Sequence, residues 1–223
     1  MTINYPKFLL ISDIDGTLTK KHSSWQVVME ELGLWESIGK NNLDAFLSNK
    51  ITYDEFIALD VEAWRNLPAK TYLDIISKIP LQDGLLEMLK SIKQLGGVLI
   101  LLSSGLMDLA LRISNLGVPI DKIYANKIEI QNGMLTGHYE KVVGWNDKGL
   151  ILNRIISEYS KYKLPVVTLG DSSGDIPLFQ NSDLSFACFT LNSAIISAAD
   201  FQINHLSEVS IKIKNFLTEN LTN

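Results

Sequence analysis

The stretch Phe8-Leu9-Leu10-Ile11-Ser12-Asp13-Ile14-Asp15-Gly16-Thr17-Leu18-Thr19 constrains the fold more than any other part of the chain. An uncharged apolar run of this kind reads as a strand buried on both faces, the condition of a parallel sheet covered by helices. Two carboxylates follow at once. Neighbouring side chains at a strand end alternate in direction, so Asp13 and Asp15 serve one place only if Asp15 lies in a turn, which Gly16 permits. The competing reading is a solvated Asp-Gly turn, since both residues favour turns for local backbone reasons.

The same kind of ending recurs downstream. Val98 to Leu102 is a second buried strand, and it breaks into Ser103-Ser104-Gly105 before a helical pattern from Leu109 to Leu116. A strand ending in hydroxyls and glycine and feeding a helix makes an anion site, because backbone N–H groups and a hydroxyl converge there. Ser104 is the expected phosphate ligand, with Gly105 beside it; a plain helix cap is the alternative. Pro165 to Leu169 is a third buried strand, ending in Gly170-Asp171-Ser172-Ser173-Gly174-Asp175. Lys148 stands in the first turn of a helix capped by Asn146 or Asp147. A helix N-terminus repels a cation, so Lys148 is expected to have an anionic partner.

From Lys20 to Pro80 no strand signal appears. Ser23 with Gln26 and Thr52 with Glu55 read as capping boxes, opening helices with the stripes Trp25, Val28, Met29, Leu32 and Tyr53, Phe56, Ile57, Asp60, Trp64. Asp60 shares a face with Ile57 and Trp64, so Trp25, Asp60 and Trp64 are expected to shape a pocket; a wet stripe edge is the competing reading. Asp83 is expected to cap the next helix, after which helix and strand alternate. Ile123 to Ile130, Asn132-Gly133 and Met134 to Tyr139 read as two strands about a tight turn. Two short strands, Leu184 to Phe189 and Phe201 to Ile203, and a last helix from Val209 to Leu217 complete the chain. The expected fold is α/β: a Rossmann-like three-layer parallel-sheet core (residues 1–19 plus 81–223), a helical cap inserted at 20–80, and a small β flap.

Loops at the carboxyl ends of an open parallel sheet meet in one crevice, so these three endings should form one site. Asp13, Asp171 and Asp175 would crowd like charges there, and a hard divalent cation would compensate them. With oxygen ligands and neither His nor Cys in these motifs, Mg²⁺ is expected rather than zinc. Asp13 is the expected nucleophile toward a phosphoryl group and Asp15 the general acid and base, with Lys148 and Ser104 neutralising the phosphoryl oxygens. A net charge of −5 argues against a nucleic-acid partner. The longest apolar run is too short to cross a bilayer. Cys188 is the only cysteine, and Met1 leads to the first strand without a charged-then-apolar segment, so a cytoplasmic protein is expected. Asn220-Leu221-Thr222 matches a glycosylation acceptor by pattern only.

Asp13-x-Asp15-Gly16-Thr17, then Ser104-Gly105, Lys148 and Gly170-Asp171-x-x-x-Asp175 are similar, in type and order, to the four motifs of the haloacid dehalogenase superfamily. From Asp83 onward the chain looks most like the phosphoserine phosphatase branch, including a flap from Ala125 to Gly137. The resemblance implies Mg²⁺ held by the Asp13 and Asp171 side chains and the Asp15 carbonyl, with Asp175 in support. The cap departs from that branch. Where those enzymes carry a Glu and an Arg for the serine amine and carboxylate, His22 and Asp60 stand here. Without an Arg to pair a carboxylate bidentately, the expected substrate is another small phosphorylated metabolite, partly apolar or cationic. Phosphoserine is the alternative; a phosphate-binding module without turnover, or transfer to an acceptor other than water, are readings of other classes.

Overall fold

Strand β1 (Phe8–Ser12) is buried throughout, and its side chains alternate between two separate apolar clusters. In the computed structural model, which describes residues 5–220, Phe8 and Leu10 belong to one cluster and Leu9 and Ile11 to the other. A strand with two apolar faces needs a helical layer on each, so three layers follow from these four side chains. Residues 1–4 and 221–223 lie outside the described residues, and with them the start of the chain and most of the Asn220-Leu221-Thr222 triplet.

Four helices follow β1: α1 (Ser24–Glu31), α2 (Lys40–Leu47), α3 (Tyr53–Glu62) and α4 (Ala69–Lys78). Alternation then begins with α5 (Leu85–Gln94), β2 (Gly97–Leu106), α6 (Met107–Ser114), β3 (Lys122–Gln131), β4 (Met134–Glu140), α7 (Lys148–Glu158) and β5 (Val166–Gly170). It ends with α8 (Ile176–Phe179), β6 (Leu184–Cys188), α9 (Ser193–Ala198), β7 (Phe201–Ile203) and α10 (Ser207–Asn220). The seven strands lie in the order β4-β3-β2-β1-β5-β6-β7, and every pair is parallel except β3 with β4. The chain steps outward from β1 through β2 to β3 and returns to β5 on the other side. That reversal opens a crevice at the carboxyl end of β1, where Ser12 faces Leu101 and Leu169. Leu89, Ile92, Ile113 and Ile213 cover one face of the sheet, and Ile151, Ile155 and Leu178 the other. Each such side chain contributes roughly 1.5–3 kcal/mol over its exposed state. Among the described residues no helix is long and apolar enough to cross a membrane.

Local chemistry explains most boundaries. Thr52 and Glu55 form the complete capping box, with Oγ1 accepting from Glu55 N at 3.2 Å and Oε2 from Thr52 N at 2.8 Å. The Ser23 box is half made: Ser23 accepts from Gln26 N, but the Gln26 side chain turns to Glu30. Asp83 does not cap α5. It pairs with Lys20 at 2.7 Å, and the cap position falls to Gly84 at φ +77°. Nor does β2 break at Ser103; it continues through Gly105 to Leu106. The Asn132-Gly133 turn joins β3 to β4 with φ of +51° and +76°, as a type I′ hairpin requires.

The helical insert leaves and rejoins the sheet at one place. Thr19 bridges Leu81, Lys20 N donates to Pro80 O at 2.8 Å, and Gln82 N to Leu18 O at 2.9 Å. Its far side is bonded to the hairpin, with Asn66 N donating to Leu135 O, Leu135 N to Leu67 O, and Ala69 N to Gly133 O at 2.8–2.9 Å.

Candidate active site

The exit of β1 sets the geometry. Asp13 N donates to Leu169 O at 3.0 Å, which holds the first carboxylate beside β5. Gly16 then turns the chain at φ +76°, and a Cβ there would lie 2.1 Å from Asp171 Oδ2. Only glycine admits both the turn and the close approach.

Asp13, Asp171 and Asp175 are buried and present oxygens within 4.8 Å of one another. The buried Lys148 ammonium lies between them, 2.9 Å from Asp13 Oδ1 and 2.6 Å from Asp175 Oδ1. This is the anionic partner its position at the start of α7 demands. Asp175 is fully occupied: its Oδ2 also accepts from Asp171 N, Ser172 N and the Ser172 hydroxyl at 2.8–3.1 Å. Asp171 takes the Thr17 hydroxyl at 3.2 Å, and His22 Nδ1 lies 2.8 Å from its Oδ2. Asp13 Oδ1 has the ion pair with Lys148.

One ammonium does not balance these acids. Burial lifts the Asp13 carboxyl to about 7 against the opposing pull of Lys148, and burial with the Asp13 charge lifts Asp171 to about 9. Burial alone would lower the Lys148 ammonium, and the two carboxylates overcome it and hold it above its usual range. An oxygen-only cluster short of positive charge fits a hard divalent cation such as Mg²⁺. Asp13 and Asp171 are the residues free to hold it, since Asp175 is already saturated.

These shifts dictate how stability responds to pH. Both folded-state values lie above the unfolded 3.8, so the folded protein keeps protons that the unfolded chain has released. Without metal, their contribution is complete below about pH 4 and is lost as pH rises through about 7 to 9. The melting temperature of the metal-free protein is therefore expected to fall across that window, and millimolar Mg²⁺ to restore more of it at pH 8 than at pH 5. Equal restoration at both pH values, measured by differential scanning fluorimetry, would contradict the cluster's charge state.

Asp15 is held by the insert rather than by the sheet. Its Oδ2 accepts from Ser24 N at 3.0 Å and from the Ser24 hydroxyl at 2.7 Å, while Oδ1 is buried without a partner. Burial raises the Asp15 carboxyl, and the Ser24 bonds pull it back. Gly105 passes close behind, and a Cβ there would lie 2.3 Å from Asp15 Oδ2. The Ser104 carbonyl accepts from Trp25 Nε1 at 2.9 Å and Asn126 Nδ2 at 2.8 Å. Asn126, fully buried, also donates to Val143 O and accepts from the N–H groups of Val142 and Val143, so all its bonding capacity fixes this loop pair. The sequence reading missed Ser24 and Asn126.

A cavity of about 300 Å³ opens over Asp13, Asp15, Ser104, Lys148 and Asp171 and runs into the insert, reaching Trp25 and Asp60. Trp64 is not on its wall. It stacks behind Trp25 at 5.7 Å, 1% exposed, with Nε1 donating to Met29 Sδ, so it supports the pocket from the core. Gly105 and Asp175 likewise lie behind the lining, against Asp15 and Lys148.

Paired acids beside a lysine and a hydroxyl-bearing loop, shut under helices at the carboxyl edge of a parallel sheet, equip a hydrolase for displacement at phosphorus. The family model described as haloacid dehalogenase-like hydrolase matches residues 10–180, and the chain belongs to that family. It is an enzyme of the family's phosphatase type. Phosphoserine phosphatase of Methanocaldococcus jannaschii is 28% identical over 182 residues, 81% of this chain and 85% of that protein. Phosphoserine phosphatase of Lactococcus lactis is 26% identical over 201 residues, 89% and 90% of the two chains. A solved phospho-aspartyl intermediate analogue of phosphoserine phosphatase superposes with a TM-score of 0.75 at 26% identity, covering 92% of this chain and 97% of the other.

Proposed function

We propose that the chain is a magnesium-dependent phosphomonoesterase that releases phosphate from a small phosphorylated metabolite through an aspartyl phosphate on Asp13. The observation that carries this reading is the Asp13 carboxylate on the cavity wall, paired with the Lys148 ammonium at 2.9 Å beside Asp15 and Asp171. A carboxylate with a fixed ammonium at its side is positioned for attack at a phosphoryl group that the same charge attracts. As the Asp13 oxygen bonds to phosphorus, the ester P–O bond breaks and Asp15 gives its proton to the departing alkoxide. Asp15 then takes a proton from the water that displaces Asp13 and frees inorganic phosphate. Burial of Asp15, which favours its protonated form, suits the first half, and the Ser24 bonds favour the second. Lys148 and the Ser104 hydroxyl face the phosphoryl oxygens. Bound between Asp13 and Asp171, with the Asp15 carbonyl as a further ligand, Mg²⁺ would supply the remaining positive charge.

In this reading residues 1–19 and 81–223 form the catalytic unit, residues 20–80 are a cap that carries Asp15's partner Ser24 to the site, and the protein works in the cytoplasm. The test is phosphate release from p-nitrophenyl phosphate with Mg²⁺ and with excess chelator. Turnover with Mg²⁺, falling at least about 100-fold on chelation, is expected; no release under either condition would leave only a phosphate-binding module. A second reading, phosphoserine phosphatase, draws support from the named relatives. A clear preference for phosphoserine across a panel of phosphorylated metabolites would establish it over the first.

A further inference from the structure

The insert contributes a second polar group to the cavity that the phosphoryl chemistry does not use. Asp60, on α3, lines the cavity and is 1% exposed. Asn42, on α2, donates to its Oδ1 at 2.8 Å, and among the described residues no other hydrogen bond or ion pair reaches the carboxylate. The cavity holds no arginine, and its single lysine is spent on Asp13 and Asp175. A buried carboxylate normally has a cation beside it, because desolvating the charge is costly. Here the described residues supply none. Burial accordingly raises the Asp60 carboxyl to about 6, with the Asn42 bond opposing.

The cavity that Asp60 lines is rich in aromatic rings. Trp25, Trp35, Phe46, Tyr53, Phe56 and Trp145 all line the cavity. Phe46 stacks on Phe56 at 5.6 Å, and Trp145 closes on Phe46 and Tyr53 at 5.8 and 5.6 Å. Ring faces attract organic cations, and they accept alkyl groups on nitrogen without asking for hydrogen bonds. A negatively charged substrate group would meet the Asp60 carboxylate with no arginine and no further lysine on the cavity wall, so this end of the cavity selects against a carboxylate.

We infer that the substrate is the phosphate monoester of an alcohol bearing an alkylated ammonium, with the cation seated between Asp60 and the aromatic walls and the phosphoryl group at Asp13. This rests on the phosphomonoesterase reading and deepens it by assigning the leaving-group subsite. The charge at that subsite is opposite to what a phosphoserine carboxylate requires.

The experiment compares phosphocholine with 3,3-dimethylbutyl phosphate, its uncharged carbon isostere, under saturating Mg²⁺. For the wild type, kcat/KM is expected to favour the cation by roughly 30-fold or more. In Asp60→Asn the ratio is expected to collapse to within about 3-fold, because the remaining ring faces hold a desolvated cation only weakly. Both esters are read on the same enzyme, so partial misfolding lowers both rates and leaves the ratio intact. A wild-type ratio near one, or a ratio that Asp60→Asn leaves unchanged, overturns the inference. Hydrolysis of p-nitrophenyl phosphate by the wild type separates that failure from failure of the underlying reading, which would abolish turnover of every ester.

Discussion

Asp13→Asn is expected to reduce Mg²⁺-dependent hydrolysis of p-nitrophenyl phosphate by about 10⁴-fold or more, the scale of losing a covalent nucleophile. The amide matches the carboxylate in shape but cannot form the acyl phosphate. The same substitution removes a buried charge that burial already disfavours. At pH 8 without metal, the melting temperature is therefore expected to hold or rise, since the unfolded chain no longer gains by releasing that proton. Loss of activity combined with retained stability is the mark of a residue kept for chemistry at the expense of folding. Residual turnover within tenfold of the wild type would remove Asp13 from its role. A large fall in melting temperature would instead show that its charge holds the cluster together.

Lys148→Met carries the opposite expectation. Among the described residues the ammonium is the one cation paired with Asp13 and Asp175, and both partners are buried. Removing one member of a buried ion pair costs about 3–5 kcal/mol, because the other charges remain desolvated. For a chain of this size that corresponds to a melting temperature lower by on the order of 10 °C. The loss should be smaller at pH 6 than at pH 8, because protonation relieves the orphaned carboxylates at the lower pH. Turnover is expected to fall about 10²- to 10³-fold as a fixed positive charge disappears from the phosphoryl site. Thermal melts of the metal-free variant at the two pH values, beside steady-state rates with Mg²⁺, check both parts. Equal melting temperatures for variant and wild type at pH 8 would contradict the paired geometry.

The core of the site was legible because its chemistry is local in sequence. Asp13, Asp15 and Gly16 lie within four residues, Gly170 and Asp171 end a buried strand, and Lys148 was conspicuous at a helix end that disfavours it. The Thr52–Glu55 box and the Asn132-Gly133 turn were legible for the same reason, since each closes its own bonds. What escaped was long-range or ambiguous in depth. Ser24 was hidden by its neighbour: Ser23 carried the capping signal, and nothing local shows a hydroxyl at the next position reaching nine residues back to Asp15. Asn126 is an isolated amide in a strand, and its four hydrogen bonds reach Ser104 in β2 and Val142 and Val143 ahead of α7. Trp64 was placed on the correct helical face but at the wrong depth, because periodicity separates buried from exposed and not cavity from core. Asp83 reads as a cap from local sequence because Lys20, its partner, is 63 residues away in the chain. Helices α2 and α4 announced no boundaries: neither has a capping side chain, and α2 grows from a wider π-helical turn at Trp35–Gly39.

The bonds between residues 66–69 and the hairpin tip bear on how product departs. With Asn66, Leu67 and Ala69 stitched to Gly133 and Leu135, the helical insert is held by more than its two connecting peptides. Movement of residues 20–80 away from the sheet requires that the ribbon of β3 and β4 travel with them or that these three main-chain bonds part, and in either case that the bonds of Ser24 to Asp15 and of Trp25 to Ser104 break as well. Tethering of this kind stiffens the enclosure and makes gate opening a candidate for the slowest event of the turnover cycle.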